Sequence, residues 1–431
     1  MSTLTPMSSA PAGKRSVLNR DYLAQWYKRN RERSATLFSL IDPSAYYSRP
    51  IPLRHPFVFY EGHLPAFSFL TLNERALGEA RIDVRLEELF ERGIDPSSID
   101  AAQLHERGDW PNHSEVLAFG RECDERVRNA IATAPIEDAS IPRLVRGQAV
   151  YTILEHEQMH HETLMYIVHQ LSEDNKQRIV QAHHDTRPPE NDFVRISAGR
   201  ATLGADLEEI PFGWDNEFGK QSFELRAFGI QQYPVTNGDW LQYVEAGGPV
   251  PTFWIERDGT WCLRCVFEEI PLPLSWPVYV SHDQAEAYAR WKGLRLPTEA
   301  EYHRATFGSP DGSERAYPWG DALPAPQHGN FDFQRYDPEP VDAHPLGASA
   351  WGVYDLIGNG WEWTSSVFLP LPGFTPMASY PQYSTDFFDG KHYVMKGASP
   401  VTAKELIRRS FRNWFYSDYP YMYAKFRCVS K

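Results

Sequence analysis

His156-Glu157-Gln158-Met159-His160-His161-Glu162 lies inside an apolar-periodic segment that runs from about Ile141 to Leu171. Val150, Ile153, Leu154, Leu164, Ile167, Val168 and Leu171 recur there at three- and four-residue spacing, with no Gly or Pro after Gly147. That pattern predicts one long helix. Positions four apart share a helix face, about one turn apart. His156 and His160 can therefore aim two imidazoles at a single metal ion, while His161 points elsewhere. Glu162, two positions on, is placed to accept a hydrogen bond behind the ligands. The bland alternative is a surface helix that happens to be His-rich, but histidines paired within an apolar helix need partners to justify burial.

Three more helices are expected upstream of this one. Tyr22, Leu23, Trp26, Tyr27, Leu37 and Leu40 form an apolar stripe over Asp21–Leu40. After the break at Ser48-Arg49-Pro50-Ile51-Pro52, a second helix is expected near Pro56, running through Phe57, Phe59, His63, Phe67 and Leu70. A lone histidine such as His63 is more often a satisfied core residue than a ligand. Leu86–Asp109 reads as an irregular excursion and Trp110–Ile131 as a third helix. Four helices make a bundle whose interior can host a metal site.

A chain of 431 residues, 42% hydrophobic, most simply forms two domains. Its net charge of −14 argues against a nucleic-acid or anionic-membrane partner. No apolar run approaches the ~20 residues of a membrane span. Residues 1–16 read as a disordered tail rather than a signal peptide. Four cysteines make no disulfide framework and suit a reducing cytoplasm. No oligomeric state is legible. The helical half is expected over 17–176 and a polar linker over 177–192, stiffest at Arg187-Pro188-Pro189. From 193 to 431 the texture changes to short strands (Phe193–Ile196, Ala201–Leu203, Phe223–Ile230) with Gly, Pro, Asn and Asp turns. One or two helices are expected there, Ser281–Trp291 the clearest.

This second half also carries a string of signatures: Tyr233-Pro-Val-Thr-Asn237, Gly293-Leu-Arg-Leu-Pro-Thr-Glu-Ala-Glu301, Tyr317-Pro-Trp-Gly320, the Gly352–Trp363 run ending Gly-Asn-Gly-Trp-Glu-Trp, and Phe426-Arg-Cys428. It resembles the formylglycine-generating-enzyme (sulfatase-modifying-factor) domain, an α+β fold of C-type-lectin-like kind. The first half resembles a DinB-like four-helix bundle, whose ligand pattern is one early His and a late His-x3-His-x-Glu. The two together resemble the iron-dependent sulfoxide synthases of ergothioneine biosynthesis. That resemblance implies His63, His156 and His160 as Fe(II) ligands with Glu162 behind them. It also implies hercynine, a thiol or selenol, and O2 as substrates. Three neutral imidazoles leave coordination positions open, as catalytic sites require.

Two rivals share some of these residues. His156-Glu157-x-x-His160 fits the zinc metalloprotease pattern, yet Thr163 and Tyr166 stand where its longer form needs Gly and His. A formylglycine-generating enzyme needs a C-terminal cysteine pair, and only Cys428 lies there. Cys262-Leu-Arg-Cys265 is a single C-x-x-C and reads as two ordinary thiols.

The resemblance further implies that Asn413-Trp414 holds the carboxylate side of hercynine. Its trimethylammonium group cannot donate a hydrogen bond and suits aromatic faces such as Trp414, Phe415 or Tyr416. Members using γ-glutamylcysteine place an Asp after Asn-Trp and an Arg four residues on; Phe415 and Tyr419 stand at those positions. Cysteine is therefore the expected donor, with a selenol, as in the related selenoneine synthases, the alternative. Arg412, or an arginine of the Arg81–Arg92 stretch, is the expected partner of the donor carboxylate. Met159 stands where some members have a hercynine-binding Gln. The catalytic tyrosine is expected among Tyr380, Tyr416 and Tyr419.

Overall fold

The computed structural model describes residues 18–91 and 110–430. The tail expected over 1–16, and positions 92–109 of the expected excursion, Arg92 among them, lie outside the described residues. The helical half comprises α1 (Arg20–Ser39), α2 (Phe57–Phe69), α3 (Val84–Phe90), α4 (His113–Thr133) and α5 (Gln148–His169). Helix α4 starts after Trp110 because Asn112 caps it, its side chain accepting from the Glu115 amide. Helix α5 starts after Ile141 because Arg146 and Gly147 take positive φ, 57° and 71°, which closes a short 3-10 stretch before the helix. The start of the expected excursion is not irregular: Asp83 caps α3 through the Leu86 amide.

Small residues set the closest approaches in the bundle. A Cβ on Gly120 would lie 3.3 Å from Pro65, so α4 can press against α2 there. A Cβ on Gly62 would lie 2.4 Å from the Phe90 ring. Glycine at 62 thus lets the end of α3 close onto α2, next to His63.

The second half is built from short strands: β1 (Phe193–Ile196), β2 (Gly199–Leu203), β3 (Gln221–Leu225), β4 (Phe228–Gln231), β5 (Trp254–Arg257), β6 (Thr260–Arg264), β7 (Glu269–Pro271), β8 (Gly360–Val367), β9 (His392–Ala398), β10 (Asn413–Tyr416) and β11 (Ala424–Lys425). The expected Phe223–Ile230 strand is two. The chain leaves β2 at Leu225 and joins β1 at Phe228. The sheet that matters for the site has the order β10-β9-β8-β11, antiparallel except for the β8–β11 pair.

Among the described residues four helices, not one or two, interrupt the strands: α6 (Asn237–Glu245), α7 (His282–Trp291), α8 (Glu299–Phe307) and α9 (Gln382–Thr385). Thr236, Ser281 and Thr298 each open one with a reciprocal capping box. Those boxes satisfy orphan amides at the start of helices too short to show a clear apolar period.

Helix α5 is buried nearly all round because its faces meet different neighbours. Glu157 and His161 turn to α1, where Arg31 Nη1 and Ser34 Oγ each lie 2.6 Å from Glu157 Oε1. Glu155 turns to the second half, where Arg408 grips it at 2.7 and 2.9 Å and also donates to Glu217 at 2.7 Å. Trp214 Nε1 adds a bond to Glu155 at 2.8 Å. One guanidinium thus sits between two buried carboxylates, and burial still raises Glu155 to about 7. Breaking such a pair on one side leaves a charge uncompensated. Arg408→Met is expected to destabilise the chain by about 3–5 kcal/mol, measured as a lowered midpoint of urea unfolding. An unchanged midpoint would show that the two carboxylates are relieved another way.

Candidate metal centre and its cavity

Ligand-forming nitrogens of His63, His156 and His160 all lie within 4.8 Å of one another. The two histidines of α5 bring their Nε2 atoms to 3.2 Å, which the four-residue spacing makes possible. His63 arrives from α2, and its Nδ1 lies 2.7 Å from the Phe90 carbonyl. A carbonyl only accepts, so Nδ1 carries the proton and Nε2 keeps its lone pair. That Nε2 is buried and has no hydrogen-bond partner. Phe59 stacks on His63 at 4.9 Å and Phe67 on His156 at 3.5 Å, fixing both rings.

Burial lowers all three pKa values, His63 to about 4 and the other two well below the usual histidine range. The cluster is therefore neutral at physiological pH. Neutral imidazole is the form that ligates a metal, and an orphaned buried nitrogen needs a partner. The residues fit a first-row transition-metal dication held by three nitrogens.

Glu162 does not orient an imidazole. Its carboxylate accepts from Trp361 Nε1 at 2.6 Å, Ser399 Oγ at 2.8 Å, Thr402 Oγ1 at 2.9 Å and the Tyr166 hydroxyl. Two positions past His160, the helix has turned it toward the second half, so it ties α5 to β8 and the loop after β9. The orienting group is instead the Phe90 carbonyl.

His156 and His160 open onto a cavity of about 440 Å³ that Glu162 and Trp361 also line. Its walls include Met159, Tyr380, Tyr383, Phe387, His392, Asn413, Trp414, Phe415, Tyr416 and Tyr419. Strand β10 places Asn413, Trp414, Phe415 and Tyr416 together, pairing Asn413 with Met395 and Trp414 with Val394. Trp414 stacks on Phe368 at 4.2 Å and meets Tyr383 edge-on at 5.2 Å. Tyr383 donates to the Met159 sulfur at 3.3 Å. Of the three expected tyrosines, Tyr380 is the one whose ring contacts a cluster histidine, His156, at 6.1 Å. Tyr416 packs on His392 at 4.0 Å and Tyr419 on Phe415 at 5.0 Å.

Arg412 is not a wall of this cavity. It is 4% exposed and binds Glu299 at 2.9 and 3.0 Å and the Leu369 carbonyl at 3.0 Å, anchoring α8. Arg81 and Arg85 bind Glu87 and Glu115. Among the described residues, the arginine on the wall is Arg54, from the loop before α2. Its Nε donates to the Tyr419 hydroxyl at 3.2 Å, and its guanidinium lies 5.8 Å from the Phe415 ring centre and 5.5 Å from that of Tyr419. Sequence reasoning missed Arg54, which sits in no spacing that marks a site; Tyr383 stands in the same Tyr380-Pro-Gln-Tyr383 segment as Tyr380.

Residues 27–164 match the DinB superfamily, and residues 179–431 match the sulfatase-modifying factor enzyme 1-like domain. The chain is 39% identical over 242 residues to the hercynine oxygenase of Mycobacterium tuberculosis, covering 51% of this chain and 55% of that protein. It is 28% identical over 450 residues to ergothioneine biosynthesis protein 1 of Schizosaccharomyces pombe, covering 94% of this chain and 56% of that one. PvdO from Pseudomonas aeruginosa, a solved structure, is 21% identical at a TM-score of 0.42, covering 55% of this chain and 93% of that one. The chain thus spans about half the length of these two curated relatives. With residues 179–431, more than half of its length, matched, the chain belongs to the sulfatase-modifying factor enzyme 1-like family, here carried behind a DinB-superfamily helical domain.

Proposed function

We propose that this chain is a non-haem iron(II) oxygenase of ergothioneine biosynthesis, joining a small donor, cysteine, to the imidazole C2 of hercynine with O2. The observation that carries this reading is the opening of His156 and His160 onto the same cavity as Asn413 and Trp414. Relatives named hercynine oxygenase and ergothioneine biosynthesis protein support it. The reaction balances as hercynine C–H plus donor S–H plus O2, giving the sulfoxide and one water. Bound iron(II) would supply the redox chemistry that activates dioxygen.

The chain's own residues do the rest. Asn413 meets the hercynine carboxylate, and the faces of Trp414, Tyr383 and Phe387 surround a cation that can take no hydrogen bond. Arg54 meets the donor carboxylate from the Phe415–Tyr419 side. Tyr380, whose ring lies 6.1 Å from that of His156, gives or takes a proton at its hydroxyl. No helix among the described residues is long and apolar enough to cross a membrane, and the four free thiols suit a cytoplasmic setting.

The test is turnover of purified protein with Fe(II), O2, hercynine and a panel of cysteine, γ-glutamylcysteine and selenols. A product with the mass of hercynine plus cysteine plus one oxygen, less two hydrogens, is expected. Turnover with a selenol alone would move the chain to selenoneine synthesis. Oxygen uptake independent of hercynine would overturn the reading.

A further inference from the structure

A second group of ligand-type side chains lies away from the cavity. Among the described residues, His183, Cys265 and Asp337 bring one potential ligand atom each within 4.8 Å of the others. The sequence set Cys265 beside Cys262, but three positions along an extended chain put them on opposite sides. Cys262 is half-buried on β6, while Cys265, just past its end, is 2% exposed. The fold pairs Cys265 instead with the linker and with the loop before β8.

We infer that His183, Cys265 and Asp337 form a second, zinc-type metal site, with a water as fourth ligand. Three observations carry this. First, His183 Nε2 lies 3.0 Å from Glu268 Oε1, so Nε2 carries the proton and Nδ1 keeps its lone pair. That Nδ1 is buried without a hydrogen-bond partner. A carboxylate holding one ring nitrogen while the other faces a metal is the usual outer arrangement of a ligating histidine. Second, the groups are held in place before any ion arrives. The Val266 amide donates to Asp337 at 2.8 Å, and the Cys265 amide to the Glu268 carbonyl at 2.9 Å. The linker is pinned by Trp276 Nε1 on the His184 carbonyl at 2.8 Å and by Ser275 on Asp185. Third, Cys265 and Asp337 also line a cavity of about 20 Å³, room for a single water.

Charge agrees with this geometry. A dication, one thiolate, one carboxylate and a neutral imidazole sum to zero. One nitrogen, one sulfur and one oxygen with an open position suit zinc. On binding, the thiol gives up its proton to solvent. The ion would clamp the linker after α5 to the second half at both β6 and the loop holding Asp337. This site does not depend on the oxygenase reading.

The full chain, freed of metal by a chelator, is titrated with cobalt(II) alone. A thiolate on cobalt(II) gives a near-ultraviolet charge-transfer absorption that a three-histidine site cannot give. The expected result is such a band with the intensity of one thiolate-bound cobalt(II) per chain at saturation, bleached by zinc(II), and absent in Cys265→Ser. It should persist in Cys262→Ser and in His156→Ala, which separates it from the first centre. If Cys265→Ser does not fold, His183→Gln is read instead, with cobalt affinity down at least about tenfold. No band in the unaltered chain, a band surviving in folded Cys265→Ser, or unweakened binding in His183→Gln would overturn the site.

Discussion

His63→Ala is expected to fold, to lose iron(II) affinity by more than about a hundredfold, and to lose hercynine-dependent oxygen uptake with it. The magnitude follows from what metal sites tolerate: removing even an outer hydrogen-bond partner costs about 10–100-fold in affinity or activity, and His63 supplies a ligand nitrogen itself. Its Nε2 is the buried atom without a partner, aimed at the two Nε2 atoms of α5. The matching control is His161→Ala. His161 is as buried as His63 and adjacent to His160, but it bonds Ser34 at 2.8 Å on the α1 side. It should keep its iron and its activity while losing some stability. Metal content after gel filtration, measured for both variants, decides the matter. Iron retained in His63→Ala, or lost equally in both, would mean that the helix face does not define the ligands.

The contrast between those two neighbours shows what was legible from the chain. Four-residue spacing fixes that 156 and 160 share a face and that 161 leaves it, because helix geometry alone decides this. The same geometry turns Glu162 away from the ligands, yet the sequence cannot say what it meets. Trp361, Ser399 and Thr402 are about two hundred or more positions distant. The group that does orient an imidazole, the Phe90 carbonyl, is a backbone atom and carries no residue signature. Its approach depends on Gly62, a residue that reads only as a helix weakness until Phe90 is seen against it. Arginines were misassigned for a related reason. Arg412 adjoins the Asn413-Trp414 motif but lies just before β10, and adjacency in sequence does not say what a side chain meets. Arg412 is held by Glu299 and the Leu369 carbonyl, and Arg54 comes to the cavity from a loop more than three hundred positions upstream. Of the four short helices in the second half, Ser281–Trp291 showed an apolar pattern; the others are too brief for one, although Thr236 and Thr298 open two of them with capping boxes.

Cysteine is expected to exceed γ-glutamylcysteine in kcat/KM by about a hundredfold or more, with hercynine saturating. The argument concerns the far end of the dipeptide, which carries an ammonium and a carboxylate. Phe415 and Tyr419, both on the cavity wall, offer that end an aromatic face and a phenol in place of an anion and a cation. Each forgone charge-assisted hydrogen bond is worth roughly 1.5–3 kcal/mol. Two of them amount to about a hundredfold or more, since ~1.4 kcal/mol is tenfold. Among the described residues, the Lys or Arg on this wall is Arg54, its guanidinium packed near both rings and bonded to the Tyr419 hydroxyl. It matches a single carboxylate, which cysteine has once and the dipeptide twice; each donor carries one ammonium, which the dipeptide holds at its far end, against Phe415 and Tyr419. The reciprocal test is the double substitution Phe415→Asp with Tyr419→Arg. Neither change alone should help: an arginine at 419 would crowd Arg54 with a like charge, and an aspartate at 415 would be drawn to Arg54 and silence it. Together they supply an anion for the ammonium and a second cation, so the ratio should move toward the dipeptide by at least about tenfold, the value of one such bond. A preference for γ-glutamylcysteine in the unaltered chain would place its charged contacts elsewhere and remove Phe415 and Tyr419 from donor choice.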